Sequence, residues 1–266
     1  MRTQDDGDPG VANQVTADDH RLAAEVADRA GRLLVELRAE LQASGADPRT
    51  LKDEGDRRSH LLIVDALAER VAAGDALLSE EGRDDERRLG ATRVWIVDPL
   101  DGTREFGEPP RTDWAVHVAL VVAGEPMAGA VALPALRLTL ATAPPPPPPP
   151  PATGPPRVIV SRTRPPAAAT WLADRLGGEL VEMGSAGAKA MAVVRGEADV
   201  YAHSGGQYEW DSCAPVAVAR AAGLHVSRLD GSPMRYNNAD PYLPDLLICR
   251  PELAKASLEA LADFEA

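Results

Sequence analysis

The sequence predicts a mixed α/β fold, and three observations support this prediction. A stretch that begins at Thr16 has apolar residues at three- and four-residue spacing, which is typical of an amphipathic helix. A short run of β-favouring residues, 94–97, follows in the first half of the chain. Beyond a proline-rich stretch, short strands alternate with helices, a pattern typical of strands covered by helices. With 266 residues, the chain is long enough for one large domain or two moderate ones.

The composition is acidic. The chain has 41 Asp and Glu residues against 28 Lys and Arg, and its formal net charge is −13. This balance argues against a nucleic acid or an anionic membrane as the main partner. The two cysteines, Cys213 and Cys249, lie in apolar segments, so we expect them to be buried and unpaired in a reducing, cytoplasmic compartment. Residues 1–15 are polar and acidic, and we expect them to be flexible.

The first element is a long helix from Thr16 to about Leu41, with acidic residues in its first turn. Gly45 and Pro48 predict a break, and residues 52–56 read as a charged loop. A second helix is predicted from about Asp56 to Ala73. Asp56 then occupies the position of an N-cap, and capping alone is one interpretation of this residue.

Two short strands are each followed by acidic residues. The strand at residues 76–78 leads into Glu80 and Glu81, and the strand at residues 94–97 ends at Asp98. Pro99 is expected to stop the second strand, because proline cannot donate to a sheet. Asp101 follows three residues after Asp98, and then come Gly102 and Thr103. Taken alone, these residues also fit a capped Asp-Gly turn and a solvated charge run.

The rest of the first half is predicted as β-structure. Residues 114–122 and 127–133 form a predicted hairpin, and residues 137–142 a third strand. The proline run Pro144–Pro151 can adopt only an extended or disordered conformation, either as a spacer or as a ligand of a proline-reading domain. We therefore predict an N-terminal α+β subdomain at 16–143 that carries the metal site, a proline-rich linker or loop at 144–156 and a C-terminal α/β subdomain at 157–266.

The second half is predicted to contain five strands and four helices, in alternation for most of its length. The predicted strands are 157–161, 179–183, 198–202, 224–227 and 246–249, and the predicted helices are 166–176, 185–194, 211–222 and 251–264.

Acidic residues at strand ends and helix starts suggest a metal site. The set is Asp56, Glu80, Glu81, Asp98, Asp101 and Asp211, with the Leu100 carbonyl as a further oxygen. The five histidines show no metal-binding spacing, so the predicted donors are oxygens. Such a set suits Mg²⁺ or Mn²⁺ and disfavours zinc.

These residues also resemble a known family. The run from Trp95 to Thr103, preceded by Glu80-Glu81 and followed much later by Trp210-Asp211, is similar to the motifs of the inositol monophosphatase-like superfamily of Mg²⁺-dependent, Li⁺-sensitive phosphatases. The resemblance extends from about Asp18 to about Ala262. It implies a layered α-β-α-β-α sandwich with an antiparallel-rich first sheet and a smaller second sheet.

The resemblance also implies roles for the acidic residues in two- or three-metal activation of water. Glu80, Asp98 and the Leu100 carbonyl would hold one Mg²⁺, and Asp98, Asp101 and Asp211 a second. Asp56 and Glu80 would hold a weaker third through water, and Thr103 and Asp56 would orient the attacking water. The family usually has Thr three residues before this Asp, where the present chain has Asp53. The amides of Gly102 and Thr103 would receive the phosphate.

The residues after the motif point to a subfamily. Arg104-Glu105-Phe106, and the Gly184-Ser185 segment with Lys189, resemble the 3′-phosphoadenosine-5′-phosphate phosphatases, also called 3′(2′),5′-bisphosphate nucleotidases, closest to actinobacterial members. The substrate-binding residues implied in addition to Gly102 and Thr103 are Arg104, Ser161, Arg162, Ser185, Ala186 and Lys189. For Lys189 an exposed, solvated lysine is the alternative, and His203 fits either a substrate contact or a plain loop residue.

Three functions are compatible with these observations. The first is Mg²⁺-dependent removal of the 3′-phosphate of 3′-phosphoadenosine 5′-phosphate, giving AMP and phosphate in sulfur assimilation. The second is the same chemistry on inositol 1-phosphate or fructose 1,6-bisphosphate. The third is a non-catalytic acidic binding protein of the same fold. The expected partner is a small phosphorylated nucleotide, without nucleic acid or membrane, and the family makes a homodimer plausible.

Overall fold

The computed structural model describes residues 14–264, so nearly all of the predicted flexible segment 1–15 lies outside the described residues. Helices and sheets alternate in five layers. The helices are α1 (Ala17–Ala43), α2 (Pro48–Ala72), α3 (Thr103–Phe106), α4 (Ala167–Leu176), α5 (Ala186–Val194), α6 (Glu209–Ala221) and α7 (Pro251–Ala262). Within residues 14–264, no helix combines the length and the apolar character that a membrane crossing requires.

The first sheet has five strands in the order in which they occur along the chain. They are β1 (Ala76–Ser79), β2 (Arg93–Asp101), β3 (Ala115–Val122), β4 (Glu125–Leu133) and β5 (Leu138–Ala141). Strands β1 and β2 are parallel, and the other neighbours are antiparallel. The predicted hairpin is confirmed, and its turn at Ala123 and Gly124 has positive φ at both residues, which suits the twist of antiparallel strands.

The second sheet also has five strands, in the order β7-β6-β8-β10-β9, so it is not smaller than the first in strand number. Its strands are β6 (Arg157–Ser161), β7 (Glu179–Met183), β8 (Val200–Tyr208), β9 (His225–Ser227) and β10 (Tyr242–Cys249). Strands β6, β7 and β8 are parallel, and β10 runs antiparallel to both β8 and β9. Strands β8 and β10 extend well beyond the predicted ranges, because their polar ends pair with each other.

Alternation along the strands explains the layers. On β2, Trp95 and Val97 pack against α1 and α2, whereas Val94 and Ile96 point into the central layer formed by α5 and α6. Helices α4 and α7 cover the far face of the second sheet through a separate apolar cluster. This arrangement is an α-β-α-β-α sandwich, as predicted. Its central core combines residues from both sides of the proline-rich stretch.

The start of α2 corrects the sequence prediction. The helix begins at Pro48 and not near Asp56, because Asp47 is the N-cap and accepts hydrogen bonds from the amides of Arg49 at 2.8 Å and Thr50 at 3.0 Å. Proline at the first helical position favours the helix instead of breaking it. The predicted charged loop 52–56 is therefore helical, and Asp56 lies inside α2, where it cannot act as an N-cap.

The end of β2 is a second correction. Pro99 was expected to stop this strand after Val97, yet β2 continues to Asp101. The pairing with β3 shifts between Asp98 and Asp101, so the strand passes Pro99 by a bulge. Because a bulge leaves residues unpaired, the missing amide of Pro99 costs no ladder hydrogen bond.

The proline run Pro144–Pro151 forms neither helix nor strand. It lies against the second half of the chain, where the carbonyl of Pro150 accepts a hydrogen bond from Arg250. The division of the chain at residues 144–156 stays a prediction.

Candidate active site

The turn from Asp98 to Thr103 is held in place by α2. The hydroxyl of Ser59 donates to the carbonyl of Pro99 at 2.6 Å, and the amide of Leu100 donates to Asp98 Oδ1 at 3.0 Å. Gly55 of α2 packs so closely that a Cβ there would lie 2.8 Å from both Leu100 and Phe106. The turn is therefore fixed by long-range packing as well as by its own sequence.

Acidic side chains from three elements meet at this turn. Asp98, Asp101 and Asp211 each offer an oxygen, and these atoms lie within 4.8 Å of one another. Asp98 and Asp101 are buried, and Asp211, in the first turn of α6, is half-buried. Glu80 follows β1, and because β1 pairs with β2 in parallel, it reaches the same sheet edge and contacts Asp98. The structure thus brings together the four predicted ligand side chains.

The electrostatics of the cluster suit a cation. Burial, followed by the charges of Glu80, Asp101 and Asp211, raises the pKa of Asp98 well above its usual value. Burial and the charge of Asp101 raise the pKa of Asp211 to about 7. The pKa of Glu80 is also raised to about 7 by desolvation of its carboxyl group and by nearby acids, although the residue is open to solvent. Crowded carboxylates of this kind need a positive charge, and an oxygen-only donor set fits a hard divalent cation.

Asp101 has a different environment from its neighbours. Its carboxylate accepts hydrogen bonds from the Ser185 hydroxyl at 2.5 Å and from the amides of Ala186 at 3.1 Å and Gly187 at 2.6 Å. Burial would raise the pKa of Asp101, but the contacts with His117, Ser185 and the more distant Lys189 lower it to about 2. Asp101 is therefore the cluster member that stays ionised most readily.

Ser185 and Ala186 lie at the predicted place, the start of α5, but in this structure they hold Asp101. Ser185 is the N-cap of α5 with a φ of 51°, a region that non-glycine residues seldom adopt. Its hydroxyl bond to Asp101 and its acceptance of the Ala188 amide at 2.9 Å stabilise this conformation. The positive end of the helix thus faces a buried carboxylate. Their predicted role in substrate binding stays a prediction.

His117 is the main site residue that the sequence did not indicate. Its ring is fully buried, with Nε2 3.2 Å from Asp101 Oδ2 and Nδ1 3.9 Å from Asp98 Oδ2. Nδ1 donates to the carbonyl of Trp210 at 3.0 Å. Burial lowers the pKa of His117, but the contact with Asp101 outweighs it, and the net pKa is above the usual value. His117 therefore joins the β2 turn to the first turn of α6.

The sequence signal for His117 lies in strand register. His117 on β3 is the direct cross-strand partner of Asp98 on β2. A histidine in an otherwise apolar strand, opposite an acidic residue, would have been a candidate if the pairing of β2 with β3 had been known. The His117 ring also explains why residue 187 is glycine, because a Cβ at that position would collide with the ring.

Lys189 is buried and not the solvated lysine of the alternative interpretation. Its Nζ donates to the carbonyls of Ser185 at 2.5 Å and Gly184 at 3.4 Å and lies 5.4 Å from the centre of the Tyr201 ring. Burial lowers the pKa of Lys189, while Asp101 and other acids oppose this shift. The side chain places positive charge beneath the start of α5.

Asp56 and Thr103 are in contact, as their predicted shared role in orienting a water molecule requires. The Thr103 hydroxyl lies 3.2 Å from Asp56 Oδ1 and 3.0 Å from the carbonyl oxygen of Leu100. Burial and the charge of Glu81 raise the pKa of Asp56 to about 7. Gly102, with a φ of 85°, leads into α3, so the amides of the first turn, including that of Thr103, have no helical carbonyl partner.

The cationic residues near the site differ in whether their charge is already paired with an acidic residue. Arg162 is engaged by two acids, with Nε 2.9 Å from Glu105 and Nη2 2.6 Å from Glu108. Arg104 is exposed and makes no ion pair with the residues that the structure describes. Ser161, next to Arg162, accepts the amide of Arg164 at 3.3 Å. The roles of these residues in substrate binding stay predictions.

Comparisons with known proteins identify the family and relatives of the chain. The model of the family described as "Inositol monophosphatase family" matches residues 14–144 and 158–263. The chain is 50% identical over 264 residues to the 3′-phosphoadenosine 5′-phosphate phosphatase of Mycobacterium leprae, an alignment that covers 94% of this chain and 96% of the relative.

Solved structures share the fold. Inositol monophosphatase II of Staphylococcus aureus superposes with a TM-score of 0.75 at 19% identity, over 93% of this chain and 98% of that one. CysQ from Bacteroides thetaiotaomicron, described as a bacterial member of the inositol monophosphatase family, superposes with a TM-score of 0.71 at 27% identity, over 88% of this chain and 97% of that one.

Proposed function

The chain belongs to the inositol monophosphatase family, and from this premise we propose that it hydrolyses the 3′-phosphate of 3′-phosphoadenosine 5′-phosphate to AMP and phosphate. The family is one of metal-dependent phosphatases. The observation that carries the proposal is the cluster of Asp98, Asp101 and Asp211. It occurs in a chain that is 50% identical to a relative named 3′-phosphoadenosine 5′-phosphate phosphatase. A role in sulfur assimilation and a cytoplasmic location, consistent with two free, buried cysteines, complete the proposal.

The proposed cofactor is Mg²⁺, with Mn²⁺ as a substitute and Li⁺ as an inhibitor by family resemblance. Glu80, Asp98, Asp101 and Asp211, together with the Leu100 carbonyl, would hold the cations. When bound, these cations supply positive charge to the phosphate oxygens and make a water molecule more acidic. The raised pKa values of Asp98, Glu80 and Asp211 support the proposal, because a cation relieves the repulsion that causes them.

In the proposed mechanism Asp56 and Thr103 orient the attacking water. Their oxygens lie 3.2 Å apart, close enough for one water molecule to contact both. Asp56 Oδ2 is available as an acceptor, because the Thr103 contact uses Oδ1. The amides of Gly102 and Thr103 would bind the phosphate, since the start of α3 leaves the Thr103 amide without a helical partner. His117, the Ser185 hydroxyl and the amides of Ala186 and Gly187 would support Asp101.

The recognition of the second phosphate is proposed to use positive charge at the rim. Arg104 is the exposed cation next to the turn, and Arg162 would reach the phosphate by exchanging its contacts with Glu105 and Glu108. Ser161, Ser185, Ala186 and Lys189 would assist, the last by its charge. A homodimer is proposed as the quaternary state on family grounds.

The test is a comparison of substrates. With Mg²⁺ present, kcat/KM is measured by phosphate release for three substrates: 3′-phosphoadenosine 5′-phosphate (adenosine 3′,5′-bisphosphate), inositol 1-phosphate and fructose 1,6-bisphosphate. The nucleotide product is identified as AMP. We expect the nucleotide to be preferred by at least tenfold. A preference for inositol 1-phosphate or fructose 1,6-bisphosphate would contradict the proposed substrate, and no hydrolysis of any of them would favour a non-catalytic binding protein.

A further inference from the structure

Three aromatic side chains form a cluster beside the candidate active site. Tyr208 and Trp210 are stacked, with ring centres 4.9 Å apart and planes 9° from parallel. Tyr242 stands at 85° to Tyr208, with ring centres 5.9 Å apart. Tyr208 and Tyr242 are 43% and 42% exposed, whereas Trp210 is half-buried against the central core. The two tyrosines therefore present apolar ring surface to solvent, in two planes nearly at right angles.

The sheet fixes this cluster. Tyr208 and Tyr242 are cross-strand partners on β8 and β10. Just before Tyr208, Gly205 and Gly206 have φ values of 74° and 77°, and the pairing shifts there, so the strand bulges. The amide of Gly206 donates to the Tyr242 hydroxyl at 3.2 Å. A Cβ at Gly206 would meet no atom within 4 Å, so the backbone at this glycine borders open space.

Two hydrogen bonds connect the cluster to the acidic centre. The amide of Tyr208 donates to Asp211 Oδ2 at 2.7 Å, and the carbonyl of Trp210 accepts from His117, which contacts Asp101. The rings are thus carried by the same short segment that delivers Asp211. Because Tyr208, Trp210 and Asp211 lie within four consecutive residues, the aromatic cluster adjoins the acidic centre.

Exposed rings of this kind suit a nucleobase. A base has a flat π face, and stacking on an aromatic side chain changes the affinity about five- to hundredfold per base. An anionic group would gain less from these rings, because the faces of aromatic rings carry negative partial charge. Inositol and fructose phosphates have no flat ring and would gain no stacking.

We infer that Tyr208, Trp210 and Tyr242 form the binding subsite for the purine base of the substrate, with Tyr208 as the stacking residue and Tyr242 as a side wall. The inference rests on the proposed phosphatase function and deepens it. The acidic centre selects a phosphate monoester, and the aromatic cluster selects a nucleotide among such esters.

The test uses Tyr208→Leu and Tyr242→Leu, with Tyr208→Phe to retain the ring and Met127→Ala, an exposed residue on β4, as the matched control. For each variant, the ratio of kcat/KM for adenosine 3′,5′-bisphosphate to that for ribose 3,5-bisphosphate, which has no base, is measured. We expect Tyr208→Leu to lower this ratio about ten- to hundredfold, mainly through KM for the nucleotide. Tyr208→Phe should restore most of it, and Met127→Ala should leave it unchanged.

A second measurement does not depend on turnover. Calorimetric titration with AMP gives its Kd for each variant, and the melting temperature shows whether the variant folds. If the wild-type chain binds AMP and both leucine variants weaken binding tenfold or more, the subsite stands even if the substrate test contradicts the proposed function.

Two outcomes would overturn the inference while leaving the proposed function intact. One is a folded Tyr208→Leu variant, or Tyr242→Leu where the first does not fold, whose substrate ratio and AMP Kd both stay within twofold of wild type. The other is loss of a dimer by the same variant with no change in nucleotide binding, because the rings would then serve a contact between two copies of the chain.

Discussion

Asp98 is the residue on which the proposed centre depends most. It lies directly before the bulge of β2, is 1% exposed and faces Glu80, Asp101, Asp211 and His117. Its Oδ1 also accepts the amide of Leu100, so the same side chain shapes the turn and is a proposed metal ligand. We therefore expect a change at Asp98 to affect both the proposed cation binding and the turn.

The first prediction concerns Asp98→Asn. The variant keeps the shape of the side chain but removes the negative charge, so we expect phosphate release to fall by roughly two to three orders of magnitude. Steady-state kcat/KM with saturating Mg²⁺ measures the effect. Asp65→Asn, an exposed position on α2, serves as the control and should retain wild-type activity. A turnover for Asp98→Asn within fivefold of wild type would contradict the metal assignment.

The second prediction concerns His117→Gln. Because His117 contacts Asp101 and holds the Trp210 carbonyl, its loss should leave Asp101 less well oriented. Residues behind metal ligands typically contribute about 10- to 100-fold to metal affinity or activity. We expect the Kd for Mn²⁺, measured by calorimetry, to rise by that factor. The control is His20→Gln on α1, whose ring bonds to Thr142 away from the site.

A purely structural role for His117 would give a different result. The melting temperature of His117→Gln would then fall, while the Kd for Mn²⁺ and the Mg²⁺ concentration needed for half-maximal activity stayed at the wild-type values.

The first turns of three helices position residues of the candidate site. Helix α3 begins directly after the acidic turn, α5 begins with three donors to Asp101, and α6 carries Asp211 in its first turn. Helix α2 is the exception, because its interior and not its start supplies Asp56 and Ser59. The position of Asp56 therefore depends on an N-cap more than two turns away.

The third prediction tests that N-cap. Asp47→Ala removes the acceptor for the amides of Arg49 and Thr50, so we expect a loss of about 0.5–2 kcal/mol in the free energy of unfolding. Urea denaturation measures this change. Asp53→Ala, an exposed position inside α2, is the matched control and should change stability by about 0.5 kcal/mol or less. Equal effects of the two substitutions would contradict the assigned start of α2.

At the scale of the whole molecule, a buried ion group formed by Asp199, Arg157 and Arg250 connects several segments of the second half. Asp199 accepts hydrogen bonds from Arg157 at the start of β6 and from Arg250 after β10. Arg250 also donates to the carbonyl of Pro150 in the proline run. Burial of Asp199 opposes ionisation, but these arginines lower its pKa to about 2.

The fourth prediction follows from this low pKa. Since the pKa of folded Asp199 lies below its usual value near 3.8, the ion group contributes fully above about pH 5 and loses its contribution as pH falls towards 2. At neutral pH, Asp199→Asn should lower the free energy of unfolding by about 3 kcal/mol, because it leaves two arginines without their partner. The difference between wild type and variant should shrink between pH 5 and pH 3. Urea denaturation across this range measures it, and a difference independent of pH would contradict the assignment.

Much of the fold could be predicted from local patterns. The spacing of Leu22, Val26 and Ala30 identified α1, and the apolar runs of β2, β3 and β4 identified the first sheet, because each element buries one face with its own period. The exact ranges of β6 and β7 were predicted for the same reason. The start of α2 was missed because Pro48 was read as part of a break and residues 52–56 as a charged loop, whereas Asp47 makes the proline a starting residue.

The sequence by itself determined the acidic centre and the chemistry that it suits. Asp98 and Asp101 lie three residues apart in the sequence, and the family resemblance links them to Glu80 and Asp211. Only the tertiary structure decided how that centre is supported and what surrounds it. His117 contacts Asp101 because β3 pairs with β2 in one register, and Ser185, Ala186 and Gly187 donate to Asp101 because α5 packs between the sheets. These contacts join residues far apart in the chain, so no local pattern encodes them, and packing of the whole chain brings them together.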